Sequence, residues 1–149
     1  MPLFLSTQVN KVDKKGRVSV PAAYRSALAG QGWEGVICLP SLVYPALDGC
    51  DLAYMERLSA DQSQGMQAFG RSKDAFSSAV FAAARQLSFD SEGRIILPEP
   101  FIKHAGITDA ACFVGQGQTF QIWEPGRFEA HQKEAWEALS AEQSAGGGL

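Results

Sequence analysis

The sequence predicts an α+β fold in which one small unit of strands and a helix occurs twice. Residues 12–21, VDKKGRVSVP, return as FDSEGRIILP at residues 89–98. Asp, Gly, Arg and Pro repeat in register, and apolar residues repeat at the positions of Val12, Val18 and Val20. A unit that cannot bury its own apolar face commonly pairs with its copy, so the two copies are expected to share one core.

The composition predicts a globular protein without a membrane segment. The 149 residues are 46% hydrophobic and 19% charged, and no apolar run approaches the roughly 20 residues that span a bilayer. The opening MPLFLSTQVNK lacks the basic flank and long apolar stretch of a signal peptide, which favours a cytoplasmic location. The cysteines and histidines are too scattered to predict a disulfide framework, a metal site or a cofactor; they are Cys38, Cys50, Cys112, His104 and His131.

The charge is unevenly distributed along the chain. The formal net charge is −3, which alone would argue against a polyanionic partner. The segment of residues 11–25 is nevertheless basic and contains a single acidic residue, Asp13. Its basic residues are Lys11, Lys14, Lys15, Arg17 and Arg25. Exposed charges are screened over about 8–10 Å, so this patch can act independently of distant carboxylates.

Each copy begins with a predicted hairpin. Strands at residues 8–12 and 17–20 alternate apolar and polar residues around the segment Asp13-Lys14-Lys15-Gly16. Asp at the start and Gly at the end suit a type I turn followed by a left-handed residue at Gly16. Such a turn places Asp13 opposite Arg17, and the second copy repeats the arrangement with Asp90 and Arg94.

A short helix and further strands follow each hairpin. Pro21 and Pro98 suit helix starts, and Gly30 and Gly106 suit helix ends. The predicted helices span residues 22–29 and 101–105, and the predicted strands span residues 35–39, 51–54, 111–114 and 119–123. About four short strands around one helix give each copy an α+β arrangement.

Helices are predicted outside the two units. Seven residues, all but one of them apolar, recur at alternating spacings of three and four and predict a helix over residues 64–86. That stripe consists of Met66, Phe69, Lys73, Phe76, Val80, Ala83 and Leu87. A second helix is predicted over residues 127–139, and residues 142–149 suit a flexible end. The predicted organisation is unit one at 7–54, a helical connector at 55–83, unit two at 84–127, and a C-terminal helix with its tail at 128–149.

Catalytic motifs are weak in this sequence. Gly115-Gln116-Gly117 lacks the remaining residues of a phosphate-binding loop and favours a hairpin turn. The carboxylates Asp90 and Glu92 fall on a predicted exposed turn, where nothing would raise their pKa values for acid–base chemistry. A binding protein is therefore favoured over an enzyme.

Two interpretations of the repeated Asp-x-x-Gly-Arg turn remain open. Asp13 with Arg17, and Asp90 with Arg94, are interpreted as ion pairs that hold each turn. An arginine held in this way is also positioned to fork onto a phosphate or a guanine edge, and Lys14 and Lys15 would add positive charge at the first turn.

The chain closely resembles the MraZ family, bacterial transcription regulators built from two tandem SpoVT-AbrB-type units. The resemblance lies in DKKGRVSVPAAYRSAL at 13–28, DSEGRIILPEPFIKHAG at 90–106 and VGQGQTFQIWE at 114–124. It implies a swapped-hairpin β-barrel with flanking helices and a ring-shaped homo-oligomer. It further implies binding to direct repeats in double-stranded promoter DNA, repression of the cell-division and cell-wall gene cluster, and a nucleoid-associated location.

The resemblance also implies site residues. Asp13, Arg17, Asp90 and Arg94 match the motif residues at the DNA-binding face, and the basic segment adds Lys11, Lys14, Lys15 and Arg25 as candidates. Ser91 and Glu92 replace the two turn lysines in the second copy, so the first copy is expected to make most phosphate contacts. The alternatives are an AbrB-like regulator or antitoxin of another locus, and a protein-interaction scaffold.

Overall fold

The strands of the two copies form one six-stranded antiparallel sheet and a separate two-stranded ribbon. The computed structural model describes residues 2–65 and 69–145. In chain order, the described elements are β1 (Thr7–Lys11), β2 (Arg17–Ser19), α1 (Ala22–Leu28), β3 (Gly35–Pro40), β4 (Leu47–Cys50), α2 (Leu52–Gly65), α3 (Arg71–Ala79), β5 (Arg85–Ser88), β6 (Arg94–Ile96), α4 (Glu99–Ala105), β7 (Ala110–Gly115), β8 (Phe120–Trp123) and α5 (Pro125–Ser144). The α+β class is confirmed.

Strand pairing joins the two copies both in the large sheet and in the ribbon. The large sheet has the order β1-β7-β8-β4-β3-β5, so the outer strand of each copy pairs with a strand of the other. Val9 lies opposite Cys112, and Leu87 lies opposite Val36. Strands β2 and β6 form the separate ribbon. Within the described ranges, the strands do not form a closed barrel.

The shared core contains the apolar residues that repeat in the sequence. Val18, Val20, Ile95 and Leu97 are almost completely buried, while Val12 and Phe89 pack at the margin of the same cluster. This confirms the predicted role of the repeated apolar positions. The two copies bury one core between them because neither hairpin has another surface on which to place these side chains.

Four aromatic rings occupy the centre of this core. Phe4 lies 5.3 Å from Tyr24 and 5.1 Å from Phe120, measured between ring centroids, and Phe113 packs against the latter two. The hydroxyl of Tyr24 donates a hydrogen bond to the carbonyl of Ser6 at 2.8 Å, which satisfies its polar end. The residues that precede β1 are therefore anchored in the core.

Helices cover the outer face of the sheet. Phe76 of α3 and Met55 of α2 pack against Ile37 and Leu39 of β3. Phe128 of α5 packs in a separate apolar cluster with residues of β7 and β8. No helix in the described ranges has the length and hydrophobicity needed to cross a membrane.

The strand predicted at residues 51–54 is wrong. The fourth strand is β4, and Asp51 instead accepts a hydrogen bond from the Tyr54 backbone N–H at 2.8 Å. An aspartate that satisfies a free N–H in this way favours the start of a helix, so α2 begins at Leu52. The apolar residues that resembled a strand lie on the first turn of that helix.

The single connector helix predicted over residues 64–86 is also wrong. Helix α3 covers only Arg71–Ala79, and Arg85–Ser88 form β5 because the edge of β3 accepts them as a neighbouring strand. The predicted stripe residue Met66 lies outside the described residues. The C-terminal helix is confirmed, although it extends to Ser144 and so includes part of the predicted flexible end.

The hairpin turn predicted at Gly115-Gln116-Gly117 is confirmed. The backbone N–H of Gln116 donates to the Thr119 carbonyl at 2.9 Å in the β7–β8 turn. All three cysteines are free and buried, and burial raises the pKa of Cys50 to about 12.

Truncating the central ring should show how much the fold depends on the shared core. Phe120→Ala is expected to lower the free energy of unfolding by about 3–5 kcal/mol, the usual cost of removing a buried phenyl ring. Urea unfolding followed by circular dichroism measures this change. Val43→Ala, at an exposed loop position, is the control and should change the value by less than about 0.5 kcal/mol. Equal effects of the two substitutions would contradict a core centred on Phe120.

Candidate nucleic-acid interface

The first turn, Asp13–Gly16, is held by hydrogen bonds to one carboxylate. Asp13 Oδ1 accepts the backbone N–H groups of Lys15 and Arg17, both at 2.9 Å. The Gly16 N–H donates to the Asp13 carbonyl at 3.0 Å, and Gly16 has a φ of +82°. Glycine is favoured there because L-residues with side chains rarely adopt this backbone conformation.

The second turn, Asp90–Gly93, repeats this geometry. Asp90 Oδ1 accepts the N–H groups of Glu92 and Arg94 at 2.9 Å, and Gly93 has a φ of +77°. The predicted type of turn, with a left-handed glycine, is confirmed in both copies.

An ion pair in each turn holds an arginine. Arg17 Nε donates to Asp13 Oδ2 at 2.6 Å, and Arg94 Nε donates to Asp90 Oδ2 at 2.8 Å. The predicted Asp–Arg pairs are therefore confirmed. The arginine side chains are 35% and 30% exposed, so both remain accessible to a ligand.

These contacts affect protonation. The Arg17 backbone N–H, with smaller contributions from the Arg17 side chain and the Lys15 N–H, holds the pKa of Asp13 below its usual value. The Arg94 backbone N–H and side chain do the same for the pKa of Asp90. Both carboxylates therefore remain ionised at neutral pH and keep their arginines in place.

The ribbon of β2 and β6 connects the two turns and fixes their relative positions. The Leu97 N–H donates to the Gly16 carbonyl at 2.9 Å, and the Val20 N–H donates to the Gly93 carbonyl at 3.1 Å. Each copy therefore holds the glycine of the other copy's turn. Because β2 and β6 run antiparallel, the first turn lies at one end of the ribbon and the second turn lies at the other.

One side of the ribbon faces outward between the turns. Val18 pairs with Ile95, and both side chains enter the core. Side chains alternate along a strand, so the neighbouring residues point the other way. These neighbours form the ribbon face, in which Arg17 lies opposite Ile96 and Ser19 lies opposite Arg94.

The charges at the two turns differ. Lys14 and Lys15 are exposed at the first turn. In the second turn Glu92 Oε2 lies 2.8 Å from Arg94 Nη2, so a carboxylate already occupies part of that guanidinium. The terminal nitrogens of Arg17 have no corresponding partner in the described ranges. The first turn is thus the more basic and the less self-paired.

Arg25 lies beside the second turn. Its Nε donates to the Val20 carbonyl at 3.1 Å, and a Cβ built on Gly93 would lie 2.7 Å from its Cζ. Ile102 takes the equivalent place beside Gly16. The basic segment of the sequence is therefore divided, with Lys14 and Lys15 at one end of the ribbon and Arg25 at the other. Lys11 is exposed at the end of β1, opposite Ala110.

Sequence reasoning missed three residues of this surface. Ser19 and Ile96 belong to the ribbon face, and the Asn10 side chain donates to the Ser19 carbonyl at 2.7 Å, which ties β1 to the ribbon. The strict alternation with the buried residues Val18 and Ile95 could have identified the first two.

The described residues contain no group of three or more His, Cys, Asp or Glu side chains suited to a metal ion.

Comparison with known proteins gives one consistent family. The family model "MraZ protein, putative antitoxin-like" matches residues 80–146. The chain is 46% identical to the transcriptional regulator MraZ of Rickettsia akari over 91% of its own length and 90% of that protein. It is 49% identical to the transcriptional regulator MraZ of Pelagibacter ubique, over 85% and 81% of the two lengths. Its identity to the transcriptional regulator MraZ of Rickettsia rickettsii is 47%, over 88% and 87%.

Neutralising both turn carboxylates should weaken the fold in a pH-dependent way. A carboxyl with a lowered pKa stabilises the folded state above its ordinary pKa of about 3.8, and this contribution is lost as the pH falls through the folded value. The double variant Asp13→Asn/Asp90→Asn should therefore be less stable than the wild type at pH 6. The difference should shrink as the pH falls below about 4. The midpoints of urea unfolding of the variant and the wild type, measured at pH 6 and at several values down to below about pH 4, give this difference in stability.

The control removes two exposed carboxylates elsewhere, with Asp61→Asn on α2 and Glu134→Gln on α5. It makes the same change in net charge without touching either turn. A stability loss in the turn variant that is constant with pH, or one that the control reproduces, would contradict the assigned role of Asp13 and Asp90.

Proposed function

Because the chain belongs to the MraZ family of transcriptional regulators, we propose that it binds DNA and represses the cell-division and cell-wall gene cluster that includes its own operon. The proposed target is a set of direct repeats in promoter DNA, bound by a ring of identical subunits in association with the nucleoid. Repression follows from occupation of the promoter and requires neither catalysis nor a cofactor. The observation that carries the proposal is the placement of two arginine turns at opposite ends of one outward ribbon face.

The dimensions of the ribbon support binding in the major groove. A three-residue strand is about 10 Å long at roughly 3.3 Å per residue. The major groove is about 12 Å wide and accepts a two-stranded ribbon. Arg17 and Arg94 point outward along this ribbon, and a guanidinium can fork onto a guanine edge or a phosphate. Asp13 and Asp90 act as positioning residues that fix the two arginines.

The surrounding cations are proposed to contact phosphates. Lys14 and Lys15 extend from the first turn, and Lys11 precedes that turn on β1. Arg25 lies beside Gly93 of the second turn. The first turn is expected to contribute more, because it has two lysines and because Glu92 already holds one nitrogen of Arg94. Phosphate contacts position the protein and make its affinity sensitive to salt.

We assign the fold to the swapped-hairpin type on the pattern of strand pairing. β1 of the first copy pairs with β7 of the second, and β5 pairs with β3. The ribbon of β2 and β6 then links the two hairpins. These exchanges support the view that each copy is incomplete without the other.

A ring resolves a conflict between net charge and DNA binding. A chain of net charge −3 is repelled by DNA at long range, and one ribbon face offers few cations. When several faces bind regularly spaced repeats, the second and later contacts form at high effective concentration. The gain can reach about 10²–10⁴ in affinity without a new kind of contact.

The alternative proposals predict different ligands for the same surface. An AbrB-like regulator or antitoxin of another locus would use the ribbon face on a different DNA sequence. A protein-interaction scaffold would bind no DNA.

The primary test is a gel shift at stated salt concentration with duplex DNA from upstream of the chain's own operon. Retarded complexes that persist with excess unrelated duplex are expected. Binding only to DNA from another locus would favour the second candidate, and no DNA binding would favour the scaffold.

Removing the first-turn lysines should weaken DNA binding and its dependence on salt. Lys14→Ala/Lys15→Ala is expected to reduce the slope of log affinity against log salt by about one for each lysine lost per bound subunit. Fluorescence anisotropy with the operon duplex, from low to physiological salt, measures this slope.

The matched control is Arg71→Ala/Lys133→Ala, which removes two positive charges from α3 and α5. It should leave the slope near the wild-type value. If both double variants behave alike, the effect is one of net charge alone and the first turn is not a contact. An unchanged slope in the lysine variant would likewise remove the first turn from the interface.

The assembly makes a separate prediction. Light scattering coupled to size exclusion is expected to give a mass several times the 16.0 kDa of one chain at micromolar concentration. A monomer under these conditions would contradict the ring and with it the avidity argument.

A further inference from the structure

We propose that Ile96 is a base-reading residue that packs against the methyl group of a thymine in the major groove. The inference rests on the proposed DNA-binding function and adds a base preference to it. Ile96 is 59% exposed, which makes it the apolar member of a ribbon face whose other residues are Arg17, Ser19 and Arg94.

The direction of this side chain is fixed by the core. Ile95 is completely buried, and the next residue on a strand must point to the opposite side. Turning Ile96 inward would require a one-residue shift of β6, which would expose Ile95. Ile96 is therefore presented outward by the same pairing that buries its neighbour.

The position of Ile96 places it beside an anchored cation. It lies directly opposite Arg17 in the ribbon register, and side chains at opposite positions have Cβ atoms about 4.5–5.5 Å apart. Arg17 is held by Asp13 through Nε, and its terminal nitrogens have no ion-pair partner in the described ranges. A ligand engaged by Arg17 therefore also meets Ile96.

The chemistry of the major groove then limits what Ile96 can recognise. Base edges there present hydrogen-bond donors and acceptors, which an isoleucine cannot pair. The thymine C5-methyl is the apolar group on those edges, and apolar side chains recognise it by contact. An exposed isoleucine between two arginines fits this group better than a phosphate.

The corresponding residue of the first copy is Ser19. A hydroxyl can donate or accept a hydrogen bond but offers little apolar surface. The other two residues of the ribbon face, Arg17 and Arg94, are equivalent in the two copies. The direction in which the ribbon lies on DNA is therefore distinguished only by this pair and by the charges of the turns. The difference between Ile96 and Ser19 adds to the difference in turn charge and gives the ribbon a polarity, so that the two directions along one repeat are not equivalent.

Replacing thymine by uracil tests the contact because it removes only the methyl group. The probe is the duplex from upstream of the chain's own operon, with the thymines of each repeat replaced one at a time by deoxyuridine. The wild type is expected to bind at least one substituted duplex about fourfold more weakly, the value of one buried methyl group. Anisotropy at low salt keeps weaker variants bound through their phosphate contacts.

Ile96→Ser should bind the thymine and uracil duplexes equally, and Ser19→Ile should gain sensitivity to an additional thymine. Val43→Ser is the control, since it removes an exposed apolar residue from a loop outside the ribbon. It should keep the fourfold difference.

Two results would overturn the proposal. The first is a wild type that binds every substituted duplex as tightly as the original. The second is an Ile96→Ser variant that keeps the fourfold difference; if its mass in light scattering also changes, Ile96 lies in a protein contact. The proposed function would survive either result, because the duplex is still bound. Failure of the wild type to bind the duplex at all would instead contradict the proposed function itself.

Discussion

The pairing of β2 with β6 is the interaction on which the rest of the structure depends. The two strands come from different copies of the repeat within the one chain. At the ends of the ribbon, the carbonyls of Gly16 and Gly93 each accept a backbone N–H from the other copy. These bonds hold both turns in place, and the same pairing brings Val18 and Ile95 together in the core. A change that separated the two strands would therefore remove core packing and turn geometry at once.

The two-residue period of a strand separates the core-facing residues of the ribbon from those of its exposed face. Along β2 and β6, alternate residues enter the core or face outward, so neither set can move without the other. The carboxylates of Asp13 and Asp90 act at this boundary, because each closes its turn through backbone N–H groups and also fixes an outward arginine. The outward arginines are therefore positioned by the same carboxylates whose hydrogen bonds close the turns.

Local features of the sequence are sufficient to predict the hairpins and the Asp–Arg pairs, because each depends on residues at most a few positions apart. The shared core positions are predicted by the internal repeat. The errors concern pairing at a distance. Arg85–Ser88 become a strand because the edge of β3 is available, and an apolar stripe cannot reveal that edge. The sequence places Arg25 in the same basic segment as the lysines, yet α1 carries it to the opposite end of the ribbon, beside Gly93. Only the antiparallel pairing of the copies determines that position.

Divergence between the copies is concentrated where the fold permits it. The glycines, the aspartates and the inward apolar residues are kept or conservatively replaced, since the turns and the core require them in both copies. Apart from the shared arginines, the outward positions differ: Lys14 and Lys15 correspond to Ser91 and Glu92, Arg25 corresponds to Ile102, and Ser19 corresponds to Ile96. A duplicated scaffold that binds one asymmetric ligand has to break its symmetry at the surface without disturbing the shared interior. Duplex DNA read in a defined direction is such a ligand, because its two strands present different base edges to the two ends of a ribbon. The pattern of retained and altered residues is therefore the one expected if the two copies fold as equals and, in the proposed function, bind as unequal halves of a single site.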